Sequence, residues 1–347
     1  MKEYIHGGDI YRHPDVLDFS ANINPLGTPP AVVQAAKDSM EWICHYPDAC
    51  QEKLKQALAA YEQVPVEWLI CGNGAAELIF ALVQAVKPKR ALVMAPTFAE
   101  YAQALEAVGC EVDREILKKE DGFTLQRTIL EKLQKEDLQM VFLCNPNNPT
   151  GILINPKLLR EIVTICEKRN IYLVVDECFL DFVSEPEVHT LKGELEGKQY
   201  LFLLKAFTKR YAMAGLRLGY GITSSETLME KMEQQLQPWN VSMPAQEAGV
   251  AALKETVYVE KARERIFQEQ AFLKDGLKAC GYPVLDSQAN YVFFEGEPDL
   301  YEKLLEEGVM IRDCSNYPGL WKGCYRIAVK LHNENEQLLR KIRKVRR

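Results

Sequence analysis

The sequence is poor in the features that mark exported and membrane proteins. It has no run of the ~18 apolar residues that a membrane-spanning helix needs, and its first eight residues contain no apolar signal region. The ten cysteines show no paired framework, and none is spaced as CxxC, which argues against a structural zinc site. Cys71, Cys144, Cys166 and Cys178 lie in apolar runs, where free cysteine behaves as a small hydrophobe. These features predict a soluble, cytoplasmic protein with reduced thiols and no metal.

Basic residues are outnumbered by acidic ones, 42 to 49. The net charge is −7, which argues against general affinity for nucleic acid or anionic membranes. Residues 341–347 are an exception, since five of these seven are Lys or Arg. They can be interpreted as a nucleic-acid-binding tail, but cations are favoured in the last turn of any helix, which is the simpler interpretation.

The apolar pattern predicts an α/β fold. With 347 residues, 47% of them hydrophobic, the chain can bury a large core. Continuous apolar runs of strand length alternate with helical periodicity, for example around residues 75–86, 97–108 and 156–169. Such strands are typical of a mostly parallel sheet covered on both faces. The predicted strands are residues 68–71, 90–95, 140–144, 172–175, 200–204 and 216–222.

The pattern changes after about residue 240. A long helical region over 244–280 is followed by short predicted strands near 289–295, 309–312 and 324–329. This alternation is typical of a smaller α+β domain. We therefore expect an irregular N-terminal arm (1–30), a large domain (31–240) and a small C-terminal domain (241–347).

Several polar motifs directly follow predicted strands, where open parallel sheets bind their ligands. Residues 72–77 (GNGAAE) join a strand to a helix, and the free amides of a helix start suit phosphate, although a plain structural turn fits equally well. Residues 145–151 (NPNNPTG) contain two prolines that fix the backbone and present Asn148 at a strand end. A plain turn rarely needs this whole heptapeptide, so we favour a functional role.

Three charged residues also follow strands. Asp176 ends a buried run, where a carboxylate needs a partner such as a protonated heterocyclic nitrogen; a helix cap or local salt bridge is the alternative. Lys209 taken alone would be a solvated cation, but a desolvated amine beside a second cation becomes a nucleophile. Arg217, eight residues later, supplies such a cation and also suits phosphate.

In this order, the motifs resemble those of the fold-type I enzymes that use pyridoxal 5′-phosphate (PLP), the aspartate aminotransferase superfamily, over nearly the whole chain. The resemblance implies a large domain with a mostly parallel sheet and a small C-terminal domain. It implies that Lys209 holds PLP as a Schiff base, that Asp176 pairs with the ring nitrogen, that Asn148 bonds the phenolic oxygen and that Phe98 stacks on the ring. The residues implied to hold the cofactor phosphate are Gly74, Ala75, Ala76, Thr208 and Arg217.

Two further residues are assigned in the same way, and one position departs from the pattern. Arg326 resembles the arginine that clamps the substrate carboxylate through a bidentate fork. Tyr46 resembles the tyrosine that reaches the cofactor phosphate of a partner subunit, which implies a homodimer with sites at the interface. Ala206 stands where related enzymes often have Ser or Thr, so one hydrogen bond to phosphate is missing or comes from elsewhere.

Within the superfamily, two branches look close: the L-threonine-O-3-phosphate decarboxylases of cobalamin biosynthesis and the histidinol-phosphate aminotransferases. The decarboxylase branch is favoured by residues 6–8 (HGG), 19–27 (FSANINPLG) and 312–320 (RDCSNYPGL), and by Phe179, where aminotransferases usually carry tyrosine. This branch implies release of CO₂ and formation of (R)-1-aminopropan-2-ol O-phosphate.

The decarboxylase resemblance also implies how the substrate is held. His6 and Arg312 would bind its phosphate, with Asn24 and Arg326 near its carboxylate. Without the resemblance, His6 would be interpreted as a surface residue and Arg312 as a surface cation at a strand end. The alternatives are transamination of a phosphorylated amine with 2-oxoglutarate and a non-catalytic PLP-binding regulator. An arm of only about 30 residues and an acidic net charge argue against the regulator, which would need a DNA-binding domain.

Overall fold

The computed structural model describes residues 6–346. Its strands in chain order are β1 Leu17–Asp18, β2 Leu69–Gly72, β3 Arg90–Ala95, β4 Glu111–Ile116, β5 Met140–Cys144, β6 Tyr172–Asp176, β7 Leu201–Ala206, β8 Gly219–Ile222, β9 Tyr291–Glu295, β10 Val309–Met310, β11 Arg312–Asp313 and β12 Cys324–Ala328. Its helices are α1 Pro30–Ser39, α2 Glu52–Glu62, α3 Ala75–Val86, α4 Ala99–Ala107, α5 Ile129–Lys132, α6 Pro156–Arg169, α7 Pro186–His189, α8 Phe207–Arg210, α9 Glu226–Glu233, α10 Met243–Ala252, α11 Thr256–Ala279, α12 Leu300–Glu306 and α13 His332–Val345.

A seven-stranded sheet in the order β2-β8-β7-β6-β5-β3-β4 forms the centre of the protein. Pairing is parallel from β7 to β4, and β8 runs antiparallel to both of its neighbours. Alternate residues of β5 enter different core clusters, with Val141 and Leu143 on one face and Phe142 on the other. A strand buried on both faces needs apolar residues throughout, as predicted. The predicted α/β class is confirmed.

Two strand predictions for the central sheet differ from the structure. Outside this sheet, β1 was not predicted, and the strand expected near 309–312 is divided into β10 and β11. Strand β4 was not predicted, because it lies at the edge of the sheet and four of its six residues are charged. The strand expected over 216–222 begins only at Gly219, because Ala214–Leu216 forms a 3₁₀ turn and Arg217 adopts a left-handed conformation with φ 58°.

The C-terminal strands form a smaller antiparallel sheet in the order β11-β12-β9. The arm is tied to this region, since β1 pairs with β10 and Phe19 is buried in the same apolar cluster as β9 and β12. Helix α10 packs instead in a cluster of the central sheet through Ala245 and Ala248. The domain limits at residues 30 and 240 stay predictions. No helix within residues 6–346 is long and apolar enough to cross a membrane.

Candidate active site

A cavity of about 330 Å³ lies where β5, β6 and β7 end. It brings together residues that the sequence places far apart, because parallel strands end at the same edge of a sheet. The residues proposed from sequence that line it are His6, Ala75, Ala76, Phe98, Asn148, Asp176, Thr208, Lys209, Arg217, Arg312 and Arg326.

Asp176 is the buried carboxylate at the end of β6. Its Oδ2 accepts a 2.5 Å hydrogen bond from the hydroxyl of Tyr101, and its Oδ1 accepts one of 2.9 Å from the amide of Cys178. Burial raises the pKa of Asp176, although both hydrogen bonds oppose the rise. A cation placed in the cavity against this carboxylate would therefore be stabilised by it.

Lys209 lies in the short helix α8 that follows β7. Burial, and then the positive charges of Arg326 and Arg217, lower the pKa of its amine to about 8. Its Nζ lies 5.8 Å from the centre of the Phe179 ring. A lysine with a lowered pKa has a neutral, nucleophilic fraction near physiological pH, which suits imine formation with an aldehyde.

The start of helix α3 forms an anion cradle. Helix α3 has no side-chain cap, and its first residues, Ala75 and Ala76, line the cavity. Its N-cap is Gly74, with φ 82°, and a Cβ there would lie 2.5 Å from Nη2 of Arg217. Uncapped amides beside a guanidinium are well suited to hold phosphate.

Arg326 is held in place by two acceptors. Its Nη1 donates a 2.5 Å hydrogen bond to Oδ1 of Asn148, and its Nη2 donates one of 2.7 Å to the carbonyl of Ser20. Its Nε is buried and has no partner among the described residues. The guanidinium is thus oriented but retains donors for a carboxylate.

Arg312 lies directly opposite Arg326, because the two residues are register partners on the antiparallel strands β11 and β12. Nη1 of Arg312 donates to the carbonyl of Asp313 at 2.7 Å, and Nη2 donates to Oδ1 of Asn316 at 3.0 Å. Its guanidinium also lies over the ring of Tyr317. Like charges opposite each other are unfavourable unless anions neutralise them, so the pair makes this end of the cavity suited to anionic groups.

Three of the proposed residues do not line the cavity. Gly74 is the N-cap of α3 and lies against the side chain of Arg217. Asn24 is buried, but its amide donates to the carbonyl of Arg210 and accepts from the amide of Leu26. Tyr46 is 77% exposed and stacks on Trp239. The structure therefore brings neither Asn24 nor Tyr46 into the cavity of the single chain.

Sequence reasoning missed several polar residues of the site, among them Asn22, Tyr101 and Glu100. Asn22 lines the cavity and has a buried Oδ1 with no partner among the described residues. Tyr101 bonds Asp176, as described above. Glu100 lines the cavity 3.2 Å from Nε2 of His6. Asn22 lay within a quoted motif and could have been considered, whereas Glu100 and Tyr101 resemble ordinary residues of an amphipathic helix.

The chain is similar to known proteins over nearly its whole length. Residues 14–342 match the family model for aminotransferase class I and II. The chain belongs to this family. It is 41% identical to the threonine-phosphate decarboxylase of Salmonella typhimurium, covering 98% of this chain and 96% of the relative. It is 32% identical to the histidinol-phosphate aminotransferase of Moorella thermoacetica, covering 95% and 86%.

A solved structure of the family confirms the fold. The histidinol-phosphate aminotransferase from Clostridium acetobutylicum superposes with a TM-score of 0.89 and 30% identity, covering 95% of this chain and 99% of that one. Class I and II aminotransferases are PLP-dependent, and the predicted cofactor is confirmed at the level of the family. The described residues fit PLP, because a buried carboxylate, an amine of lowered pKa and an uncapped helix start face one cavity.

Proposed function

We propose that this protein is an L-threonine-O-3-phosphate decarboxylase, which releases CO₂ and forms (R)-1-aminopropan-2-ol O-phosphate for cobalamin biosynthesis. The observation that carries this proposal is the opposed pair Arg312 and Arg326, which matches a substrate that has both a phosphate and a carboxylate. The 41% identity to a threonine-phosphate decarboxylase over nearly the whole chain supports the same reaction.

The proposed roles of the cofactor-binding residues are those that the resemblance to the family implies. Lys209 would attach the cofactor and Asp176 would pair with its ring nitrogen, while Asn148 would bond the phenolic oxygen and Phe98 would cover one ring face. Ala75, Ala76, Thr208 and Arg217 would hold the cofactor phosphate. Ala206 lines the cavity and has no hydroxyl to offer, so Thr208 is the hydroxyl residue of that motif left for this contact.

Orientation of the substrate decides the reaction. When bound, the cofactor draws in the electrons of whichever Cα bond stands perpendicular to its ring, so decarboxylation requires that the Cα–carboxylate bond take that position. Arg326 would hold the carboxylate, with Asn22 beside it in place of Asn24, while Arg312 and His6 would hold the phosphate at the other end. Holding both ends removes rotational freedom, and such positioning supplies up to ~7–11 kcal/mol of a barrier in favourable cases. Lys209 would then protonate Cα from Nζ.

A second function has support of its own. The structure of a histidinol-phosphate aminotransferase superposes over almost the whole chain, and that substrate also carries phosphate. Phe179 favours the decarboxylase, because it lines the cavity where aminotransferases usually have a tyrosine hydroxyl.

Product analysis separates the two reactions. The PLP-loaded protein is incubated with L-threonine phosphate and CO₂ is measured, in parallel with histidinol phosphate plus 2-oxoglutarate and measurement of glutamate. Release of CO₂ without 2-oxoglutarate is the expected result. Formation of glutamate with no release of CO₂ would replace the proposal with the aminotransferase. Adding L-serine phosphate to the first assay tests the substrate's methyl group, which a pocket discriminates by only ~1–3 kcal/mol.

The proposal includes a homodimer and a cytoplasmic location. Met40, Trp42, Ile43 and Tyr46 lie close together in the sequence and are exposed, and Tyr46 stacks on the exposed Trp239. We take this group of residues as the apolar patch of a subunit interface, where exposed apolar side chains of this kind are typical. It would also bring Tyr46 to the cofactor phosphate of a second copy. The ten cysteines are all unpaired, which supports a reducing compartment.

A further inference from the structure

Glu100 is a carboxyl group inside a cavity that we propose binds two anionic groups. Its side chain is 13% exposed. Its Oε1 lies 3.2 Å from Nε2 of His6, but its Oε2 is buried and has no hydrogen-bond partner among residues 6–346. A buried, unpartnered oxygen is unfavourable in either protonation state, and an arriving ligand can relieve that cost.

The groups that face Glu100 come from four parts of the chain. They are His6 of the arm, Arg312 of β11, Lys209 of α8 and Asp176 of β6. Burial raises the pKa of Glu100 to about 7 and Asp176 adds to the rise, although a hydrogen bond from the backbone amide of Glu100 itself, and then Arg312 and Lys209, act against it. Burial, and then Arg312, lower the pKa of His6. The Glu100–His6 pair therefore gains or loses a proton near neutral pH.

The charge of Glu100 determines what it does to a phosphate beside Arg312. As a carboxylate, it would repel a phosphate dianion and could accept hydrogen bonds only. As a neutral acid, its Oε2 would donate a hydrogen bond to a phosphate oxygen, and this would give the buried atom its partner. Hydrogen bonds with a charged acceptor are worth more than neutral ones, so binding favours the protonated form.

We propose that Glu100 determines specificity for a phosphorylated substrate: it takes up one proton from solvent when the phosphate dianion binds beside Arg312, and Oε2 then donates to a phosphate oxygen. No bond of the substrate changes in this step, and the only new covalent bond is O–H on Glu100. The inference rests on the proposed function, because it assumes that the phosphate lies next to Arg312.

The first test is the pH dependence of KM for L-threonine phosphate. The second ionisation of a phosphate ester lies at ~6, so titration of the substrate phosphate does not contribute above neutral pH. The α-amino group of the substrate titrates identically in assays of the wild type and of Glu100→Gln, so the difference between the two proteins isolates Glu100. Each proton that is taken up on binding adds one unit to the slope of log KM against pH. KM of the wild type is therefore expected to rise about tenfold per pH unit above about pH 7.

Glu100→Gln keeps the size of the side chain and a donor but cannot titrate, so the rise is expected to disappear. Glu106→Gln is the matched control, because Glu106 lies on the same helix, is exposed and pairs with Arg114. It is expected to retain the rise of the wild type. Equal slopes for Glu100→Gln and the wild type would overturn the inference, since a residue with only a structural role moves KM at all pH values alike.

The second test counts protons without turnover. Inorganic phosphate is titrated into the PLP-loaded protein, in which the cofactor phosphate already occupies the anion cradle. Calorimetry gives the heat of binding at about pH 8 in two buffers of different ionisation enthalpy, and the difference between the two heats gives the number of protons taken up. The wild type is expected to take up about one proton and Glu100→Gln none. The same uptake in both proteins, or no binding of phosphate to the wild type, would overturn the inference. Absence of CO₂ release overturns the proposed reaction instead, so the two failures are distinguishable.

Discussion

The hydroxyl of Tyr101 donates a 2.5 Å hydrogen bond to Oδ2 of Asp176, which lies 75 positions further along the chain. Tyr101 is fully buried, and its ring stacks on Phe142 and contacts the edge of Phe98. The hydrogen bond stabilises the ionised form of Asp176 and fixes the direction in which the carboxylate points. Tyr101 is therefore expected to act on the cofactor through Asp176.

Tyr101→Phe is expected to weaken PLP binding and leave the fold intact. Loss of a hydrogen bond to a charged group is worth about 1.5–3 kcal/mol, which corresponds to roughly 10- to 100-fold in affinity. The affinity is measured by titrating the apoprotein with PLP and following absorbance. Tyr172→Phe is the matched control, because Tyr172 begins the strand that Asp176 ends, and its ring contacts Tyr200. Equal affinities for the two variants would contradict the role of Tyr101.

Attachment of PLP to Lys209 is expected to depend on pH. The amine has a pKa of about 8 in the folded protein, so it is mostly protonated below that pH and neutral above it. Only the neutral amine attacks an aldehyde, so the rate of attachment should rise about tenfold per pH unit up to about pH 8 and then level off. Stopped-flow absorbance of the imine gives the rate. A flat profile from about pH 6 to pH 9 would contradict the prediction, and Lys209→Arg, which forms no imine, supplies the baseline.

Gly74→Ala tests the anion cradle at the start of helix α3. A Cβ at this position would lie 2.5 Å from Nη2 of Arg217, and φ is 82°, so the variant combines backbone strain with displacement of the guanidinium. Gly109→Ala is a matched control, since φ is 74° there but nothing lies within 4 Å of the added Cβ. Both variants should lose about 1 kcal/mol or more of stability from the backbone alone. Only Gly74→Ala should also lose PLP affinity, measured by the same absorbance titration.

A buried charge network lies behind the site and should control stability. Nζ of Lys205 is 3.2 Å from Glu177 and 3.8 Å from Glu62, which also accepts a 2.5 Å hydrogen bond from the hydroxyl of Tyr220. Lys205→Met would leave both carboxylates without this cation, and removing one partner of a buried pair costs about 3–5 kcal/mol. Thermal melting should show a much larger loss than for the exposed Lys278→Met.

The same network predicts how acid unfolds the protein. Burial alone would raise the pKa of Glu62, but Lys205, Arg210, Tyr220 and Lys192 lower it to about 2. A lowered pKa in the folded state means that the stabilisation is complete above the ordinary value of 4.5 and is lost as the pH falls from there towards 2. Melting temperatures of Glu62→Gln and the wild type should therefore differ above pH 4.5 and converge in acid. A constant difference would contradict this assignment.

The proposed dimer is tested by Ile43→Asp. Ile43 is 61% exposed in the single chain, within the apolar patch near Tyr46. A buried charge at a subunit interface is strongly unfavourable, so this variant is expected to become monomeric and to bind PLP more weakly. Val257→Asp changes a similarly exposed apolar residue on α11 and should leave the assembly unchanged. Light scattering measures the mass, and a monomeric wild type would contradict the proposal.

Sequence reasoning located the residues at strand ends well. The continuous apolar runs of β5, β6 and β7 reveal where each strand stops, and the parallel arrangement places Asn148, Asp176 and Lys209 at one edge. Local composition is sufficient there because burial on both faces demands apolar residues throughout. It fails for β4, whose edge position allows charged residues.

The same reasoning could not identify side chains that depend on packing between distant segments. Helix α4 was predicted, but which of its faces turns towards Asp176 depends on how it packs on the sheet. Glu100 and Tyr101 therefore went unnoticed. The choice of Asn24 over Asn22 has a similar origin, because both lie in one irregular segment and only the structure shows which one faces the cavity.

Strand β1 hydrogen-bonds to β10, so the arm that carries His6 and Ser20 is fastened to the strand that leads into Arg312. One wall of the cavity is thus formed by segments near both ends of the chain, whereas Asp176 ends a strand of the central sheet and Lys209 lies in the helix that follows β7. A molecule long enough to touch Arg312 and Lys209 together bridges two independently built walls. In the proposed binding mode, a substrate with a distal anion contacts the C-terminal sheet at both Arg312 and Arg326, whereas an amino acid without one contacts it at Arg326 alone.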